Sequence, residues 1–91
     1  MLLEKEEIKD LFSLILSLES LEDCELLFED LCTTKELEQM SQRVKAAKLL
    51  MEGKTYNQVM KECTISSATL SRVSRCVQYG KGYKSFINLS K

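Results

Sequence analysis

The chain contains no histidine, no proline and no tryptophan, and only three glycines among its 91 residues. Without histidine the usual Cys/His zinc sites are excluded, and so are nucleophiles activated by an imidazole. There is also no glycine-rich phosphate loop and no nucleophile elbow, so the chain does not read as an enzyme. Its four cysteines, Cys24, Cys32, Cys63 and Cys76, form no CxxC pair. They are expected to be free thiols behaving as small core hydrophobes, with no metal and no cofactor. The longest apolar-rich stretch, Leu11 to Leu18, falls far short of the ~20 residues that cross a bilayer. The opening MLLEKEEIKD reaches an acid by position 4 and lacks a basic segment followed by an apolar core, which argues against a signal peptide. A soluble, cytoplasmic protein with no membrane partner is the expectation.

What is present is the composition of a folded helical protein, 44% hydrophobic and 30% charged. The length fits one domain over residues 1–91, and a chain this short buries so modest a fraction of its surface that a second subunit would help stabilise it. The net charge of −1 conceals a segregation along the chain. Residues 1–32 carry ten acids against Lys5 and Lys9, a net of −8. Residues 33–91 carry eleven bases against Glu36, Glu38, Glu52 and Glu62, a net of +7. Such asymmetry points to an acidic partner for the basic part, although two solvated helix surfaces of opposite sign would look the same.

Helical periodicity runs throughout, and no strand-like alternation survives. From Glu4 to Glu19, Ile8, Leu11, Phe12, Ile15 and Leu16 recur at helical spacing, with Leu14 and Leu18 widening the stripe beyond what one small core needs. That breadth predicts a dimerisation element. Ser20 can cap a second helix over Leu21 to Leu31, with Glu22 and Asp23 suiting its positive end. Thr33 or Thr34 then opens a third helix through about Glu52, with Leu37, Met40, Val44, Ala47 and Leu50 or Met51 as its buried stripe and Gly53 as its stop. Residues 4–52 thus form the helical dimerisation and core part. Thr55 caps a short helix over Tyr56 to Glu62, and Ser66 caps a longer one over Ser67 to Gln78. The remainder, 80–91, reads as a loose tail in which Tyr83, Phe86 and Ile87 are the residues able to dock.

Two short helices separated by three or four residues, within 55–79, have the geometry of a helix-turn-helix, whose second helix enters the major groove while the first crosses the backbone. Val59, Met60, Ile65, Leu70 and Val73 are apolar where such helices pack. Between them Ser67, Ala68, Thr69, Ser71, Arg72 and Arg75 make a small, hydroxylated and basic face. Small side chains permit close approach, hydroxyls and helix N-terminal N–H groups bind phosphate, and arginine forks onto guanine or phosphate. Lys54 and Lys61 add cations from the first helix, and Gln58 and Ser66 complete the expected DNA-binding set. Double-stranded DNA is the expected partner.

The run Ile65 to Val73, ISSATLSRV, matches the pattern ISxATxSRV that opens the recognition helix of many bacterial regulators. Thr64 stands at the turn position that is usually Gly, where a β-branched side chain disfavours a left-handed conformation. More widely, an acidic helical half followed by LCTTKELEQMSQRVKAAKLLMEGKTYNQVMKECTISSATLSRVSRCVQYG (Leu31 to Gly80) resembles the tryptophan repressor family, especially its tryptophan-repressor-related bacterial branch. The likeness covers about Ile8 to Tyr83 and is most specific in SQRVKAAKLLMEGKTY and SSATLSRV. It implies an all-α subunit of about six helices with a C-terminal helix-turn-helix. It further implies an intertwined homodimer, two reading heads about one DNA turn apart and a near-palindromic operator.

The resemblance also marks a candidate effector pocket at Arg43, Arg72, Val73 and Cys76. Arg43 and Arg72 stand where the repressor's two arginines flank its amino-acid ligand. Val73 replaces a Gly that makes room for the ligand, and Cys76 replaces a Ser that meets its amino group. Extra carbons in the slot and a lost hydroxyl predict that tryptophan does not bind and leave any effector unidentified. The two arginines serve equally well as phosphate contacts or intersubunit partners. The expectation is a homodimeric, sequence-specific DNA-binding transcription regulator, a repressor by occlusion. The alternative is a helical adaptor or antitoxin-like interaction dimer whose helix-turn-helix is vestigial.

Overall fold

A computed structural model of the chain describes residues 2–89, all of them in helices or their connections. Among the described residues there are six α-helices: α1 (Glu6–Leu16), α2 (Leu21–Leu31), α3 (Thr34–Met51), α4 (Tyr56–Glu62), α5 (Ser67–Tyr79) and α6 (Gly82–Phe86), with a 3-10 turn at Leu2–Glu4 ahead of them. Among the described residues no helix is long and apolar enough to cross a membrane. The chain divides into two compact units, one ending at Thr34 and the other beginning at Lys35, so α3 groups with the helix-turn-helix rather than with α1 and α2.

In the first unit, local chemistry sets the helix ends. Glu6 and Glu7 lie at the positive end of α1. At the start of α2, Ser20 accepts the Asp23 N–H at 3.0 Å while the Asp23 carboxylate accepts the Glu19 N–H at 3.0 Å, a reciprocal cap. Neither helix buries a single residue. Ile8, Leu11 and Ile15 are half-buried, whereas Phe12, Leu14 and Leu16 are exposed, so the broad stripe of α1 is largely uncovered.

The second unit holds the core: Ala46 and Ala47 from α3, Val59 and Cys63 from α4 and the residue after it, and Leu70 and Val73 from α5. Paired alanines keep α3 thin where α4 and α5 lean on it, so the bulky Leu70 and Val59 are fully enclosed. This corrects the expected α3 stripe. Ala47 is buried and Leu50 packs at the edge of the core, but Met40 and Val44 are exposed because the contact face has rotated toward the alanines. At the end of α3 Gly53 takes a φ of +94°, and two bonds close the helix, Gly53 N–H to Leu50 O and Lys54 N–H to Leu49 O, each 3.0 Å. This is a Schellman closure, and a side chain there would be strained. The stretch after Gly80 is not a loose arm throughout: α6 forms, and Tyr83 and Ile87 pack against the core while Phe86 stays exposed. Residues 90 and 91 of the expected tail lie outside the described residues.

Candidate nucleic-acid interface

Two caps position the helix-turn-helix. Thr55 accepts the Gln58 N–H at 3.2 Å and the Gln58 side-chain oxygen accepts the Thr55 N–H at 2.8 Å, a complete capping box that starts α4. Ser66 accepts the Thr69 N–H at 3.1 Å and starts α5. Between the helices lie Cys63, Thr64, Ile65 and Ser66, and no residue of this turn has a positive φ. Thr64 therefore meets the difficulty foreseen for it by avoiding the left-handed region altogether.

Around α5 successive residues step by about 100°, so Ser67, Ala68, Ser71, Arg72 and Arg75 fall within an arc of about 140°. All five are exposed. Leu70, Val73 and Ser74 are buried; on the same wheel Val73 lies opposite the exposed arc, while Ser74 sits at its border, about 20° from Ser67. One helix thus carries a packing face and a small, hydroxylated, basic face with no overlap. Lys54, which lies ahead of the Thr55 cap and not within α4 as expected, and Lys61, in the last turn of α4, are exposed as well.

The remaining members of the expected set are partly engaged. Gln58 spends its oxygen on the capping box, which leaves its amide N–H groups to donate outward. The Ser66 hydroxyl donates to Thr69 Oγ at 3.0 Å, so the Thr69 hydroxyl proton is the one directed to other acceptors. The cysteines are free thiols, but only Cys63 is a core residue as expected; Cys24, Cys32 and Cys76 are half-buried. Burial pushes the Cys63 thiol above its ordinary 9.0, against the attraction of Lys45 for the thiolate and with repulsion from Glu62 adding to the rise.

The four residues of the expected effector pocket sit in different surroundings. Arg43 lines a hollow of about 180 Å³ with Gln39, Thr64, Ile65, Ser66 and Thr69. Val73 is core, 2% exposed. Cys76 lines a separate, apolar hollow of about 380 Å³ with Gly80, Gly82, Tyr83 and Phe86, and Arg72 borders neither.

Two residues of α3 at this site were not singled out by motif. The Gln42 side-chain oxygen accepts the Thr64 N–H at 2.8 Å, and Lys45 Nζ donates to the Glu62 carbonyl at 2.8 Å. Both lie within SQRVKAAKLLMEGKTY, but that stretch assigned them no role; their spacing of three puts two polar groups on one side of α3 next to the alanine pair.

Comparison with known proteins gives a consistent picture. The chain is 46% identical over 78 residues to the uncharacterized protein YerC of Bacillus subtilis (strain 168), spanning 86% of this chain and 75% of that protein. The crystal structure of a TrpR-like protein from Eubacterium eligens ATCC 27750 superposes with a TM-score of 0.84 at 41% identity, covering 90% of this chain and 86% of that one. A second solved structure, from Staphylococcus aureus, gives a TM-score of 0.84 at 40% identity over 92% of this chain and 88% of its own. The family model of the Trp repressor protein matches residues 6–90, and the chain belongs to the Trp repressor family.

Proposed function

We propose that the protein is a sequence-specific DNA-binding transcription regulator that acts as a homodimer on a near-palindromic operator and represses by occlusion. The observation that carries this reading is the division of α5 into a buried side, Leu70, Val73 and Ser74, and an exposed side of small, hydroxyl and arginine residues. Lys54, Lys61, Thr69 and Arg72 contact phosphates; Ser67, Ala68, Ser71 and Arg75 face the base edges, with Gln58 and Ser66 at the margin. The uncovered leucines of α1 and α2 supply the dimer contact, since an apolar surface of that extent is stabilised by burial against a second copy.

Selection from a pool of random duplexes, followed by a mobility shift at low and moderate salt, tests the reading. Arg72→Ala is expected to weaken binding to every duplex and to flatten the salt slope by about one unit, whereas changing Ser67 is expected to alter sequence preference. An Arg72→Ala variant with the affinity and salt slope of the parent overturns the assignment. No shift in either condition supports the adaptor reading instead.

The regulator is not gated by tryptophan. Val73 puts an isopropyl group into the core at the position where a ligand slot would open, and Cys76 faces a different hollow from Arg43. Isothermal titration with tryptophan is expected to give no heat of binding, and a micromolar dissociation constant overturns this.

A further inference from the structure

Helix α3 grips the turn of the reading head at three consecutive residues. Lys45 Nζ holds the Glu62 carbonyl, the Cys63 side chain sits in the core with Ala46 and Ala47, and Gln42 holds the Thr64 N–H. The partners are 17 and 22 residues apart in sequence. Each tie satisfies a group that α4 cannot satisfy itself. The helix's last backbone bond runs from the Cys63 N–H to Val59 O, which leaves the Glu62 carbonyl among its orphan acceptors and the Thr64 N–H beyond its reach.

The end of α3 shows the other way to close a helix: Gly53, in the left-handed region, turns its own and the next N–H back onto α3 carbonyls. After α4 that route is not taken, because Thr64 has no positive φ. The turn between α4 and α5 is consequently not self-closing; its direction is imposed by two α3 side chains one turn apart. The clasp is also reachable by solvent. Gln42 and Thr64 line an open hollow of about 440 Å³ together with Lys35, Glu38, Gln39 and Ser41. If the clasp is lost, water can take the freed N–H, so its removal loosens the turn without unfolding the core.

We propose that Gln42 and Lys45 are positioning residues for the recognition helix, setting the direction in which α5 leaves the turn and thereby the discrimination between operator and other DNA. The proposal rests on the DNA-binding reading above. Gln42 gives the cleaner test because it carries no charge.

The full chain is compared with its Gln42→Met variant, which keeps side-chain length but removes the acceptor, and with Gln42→Glu, which restores one. Three quantities are read: the amide exchange rate of Thr64, the affinity ratio between the selected duplex and a scrambled one, and the salt slope. Gln42→Met is expected to speed Thr64 exchange and to lower the affinity ratio, each by about tenfold, with the salt slope unchanged because no phosphate contact is lost. Gln42→Glu is expected to restore both the exchange rate and the ratio. Should Gln42→Met fail to fold, Gln42→Asn, which withdraws the acceptor by one methylene, is held to the same expectations. Unchanged Thr64 exchange shows that the clasp does not hold the turn, and faster exchange with an unchanged ratio shows that it does not position α5; either result overturns the proposal. A parent that prefers no duplex removes the DNA-binding reading itself, a failure distinguishable because it appears before any substitution is made.

Discussion

The stretch up to Thr34 and the stretch from Lys35 are both helical, yet they enclose their side chains to very different degrees. Neither α1 nor α2 buries a residue, and Leu16 and Leu21 are each 86% exposed. From Lys35 onward, Ala46, Ala47, Val59 and Leu70 are 0% exposed. Hydrophobic stabilisation follows the apolar area removed from water, so the basic stretch carries its own core while the acidic one still has most of its apolar surface to cover. Good caps are present in both. Capping therefore explains where the helices begin but not what holds them, and the charge segregation follows nearly the same line, with a net of −8 over residues 1–32 and +7 over residues 33–91.

The comparison can be broken most decisively at Leu70. Leu70→Ala is expected to cost about 2–5 kcal/mol in urea unfolding, the range for emptying an enclosed leucine site. A loss below about 1 kcal/mol would mean that the core does not hold the basic stretch together. Gly53→Ala comes next. No atom lies within 4 Å of the added Cβ, so the whole effect is backbone strain at φ +94°, about 1–2 kcal/mol by the same melt.

The two serine caps then sharpen the contrast, since their geometries are nearly the same, 3.0 Å at Ser20 and 3.1 Å at Ser66. Ser66→Ala is expected to cost about 1 kcal/mol of global stability. Ser20→Ala in dilute protein is expected to appear only as faster amide exchange within α2, leaving the global transition in place. Smaller still, Leu21→Ala is expected to change the dilute melt by less than about 0.5 kcal/mol. At concentrations where sedimentation shows a dimer it should cost more, and a cost independent of concentration would argue against self-association through these helices.

The mildest effect is set by pH. The folded state raises the Cys63 pKa and so favours the neutral thiol. Its contribution is complete below the ordinary thiol value and is lost as pH rises through the raised one. Melts above pH 9 are expected to show a decline that Cys63→Ala removes, and at neutral pH a thiol reagent is expected to modify Cys24, Cys32 and Cys76 before Cys63.

Much of this was legible in the linear chain because the physics is local. Ser20, Thr55 and Ser66 each accept an N–H three residues on, and Gly53 closes α3 with bonds that span only a few residues, so the helix ends follow from short patterns. The split face of α5 is equally readable, since helical periodicity alone separates Leu70 and Val73 from Ser67, Ser71 and Arg72. Met40 and Val44 show the limit: periodicity put them in the buried stripe, but the alanine pair at 46 and 47 governs which side of α3 meets α4 and α5. The short helix α6 was hidden for a related reason, as its support comes from Tyr83 and Ile87 reaching a core built by residues 46 to 73.

Thr64 marks the boundary between the two kinds of information. The sequence by itself determined that a β-branched residue would resist the left-handed conformation that glycine provides in such turns. Only the tertiary structure decided what replaces it, because the acceptor for the Thr64 N–H lies 22 residues away on α3, and nothing in a local pattern fixes which side chain will arrive at that distance.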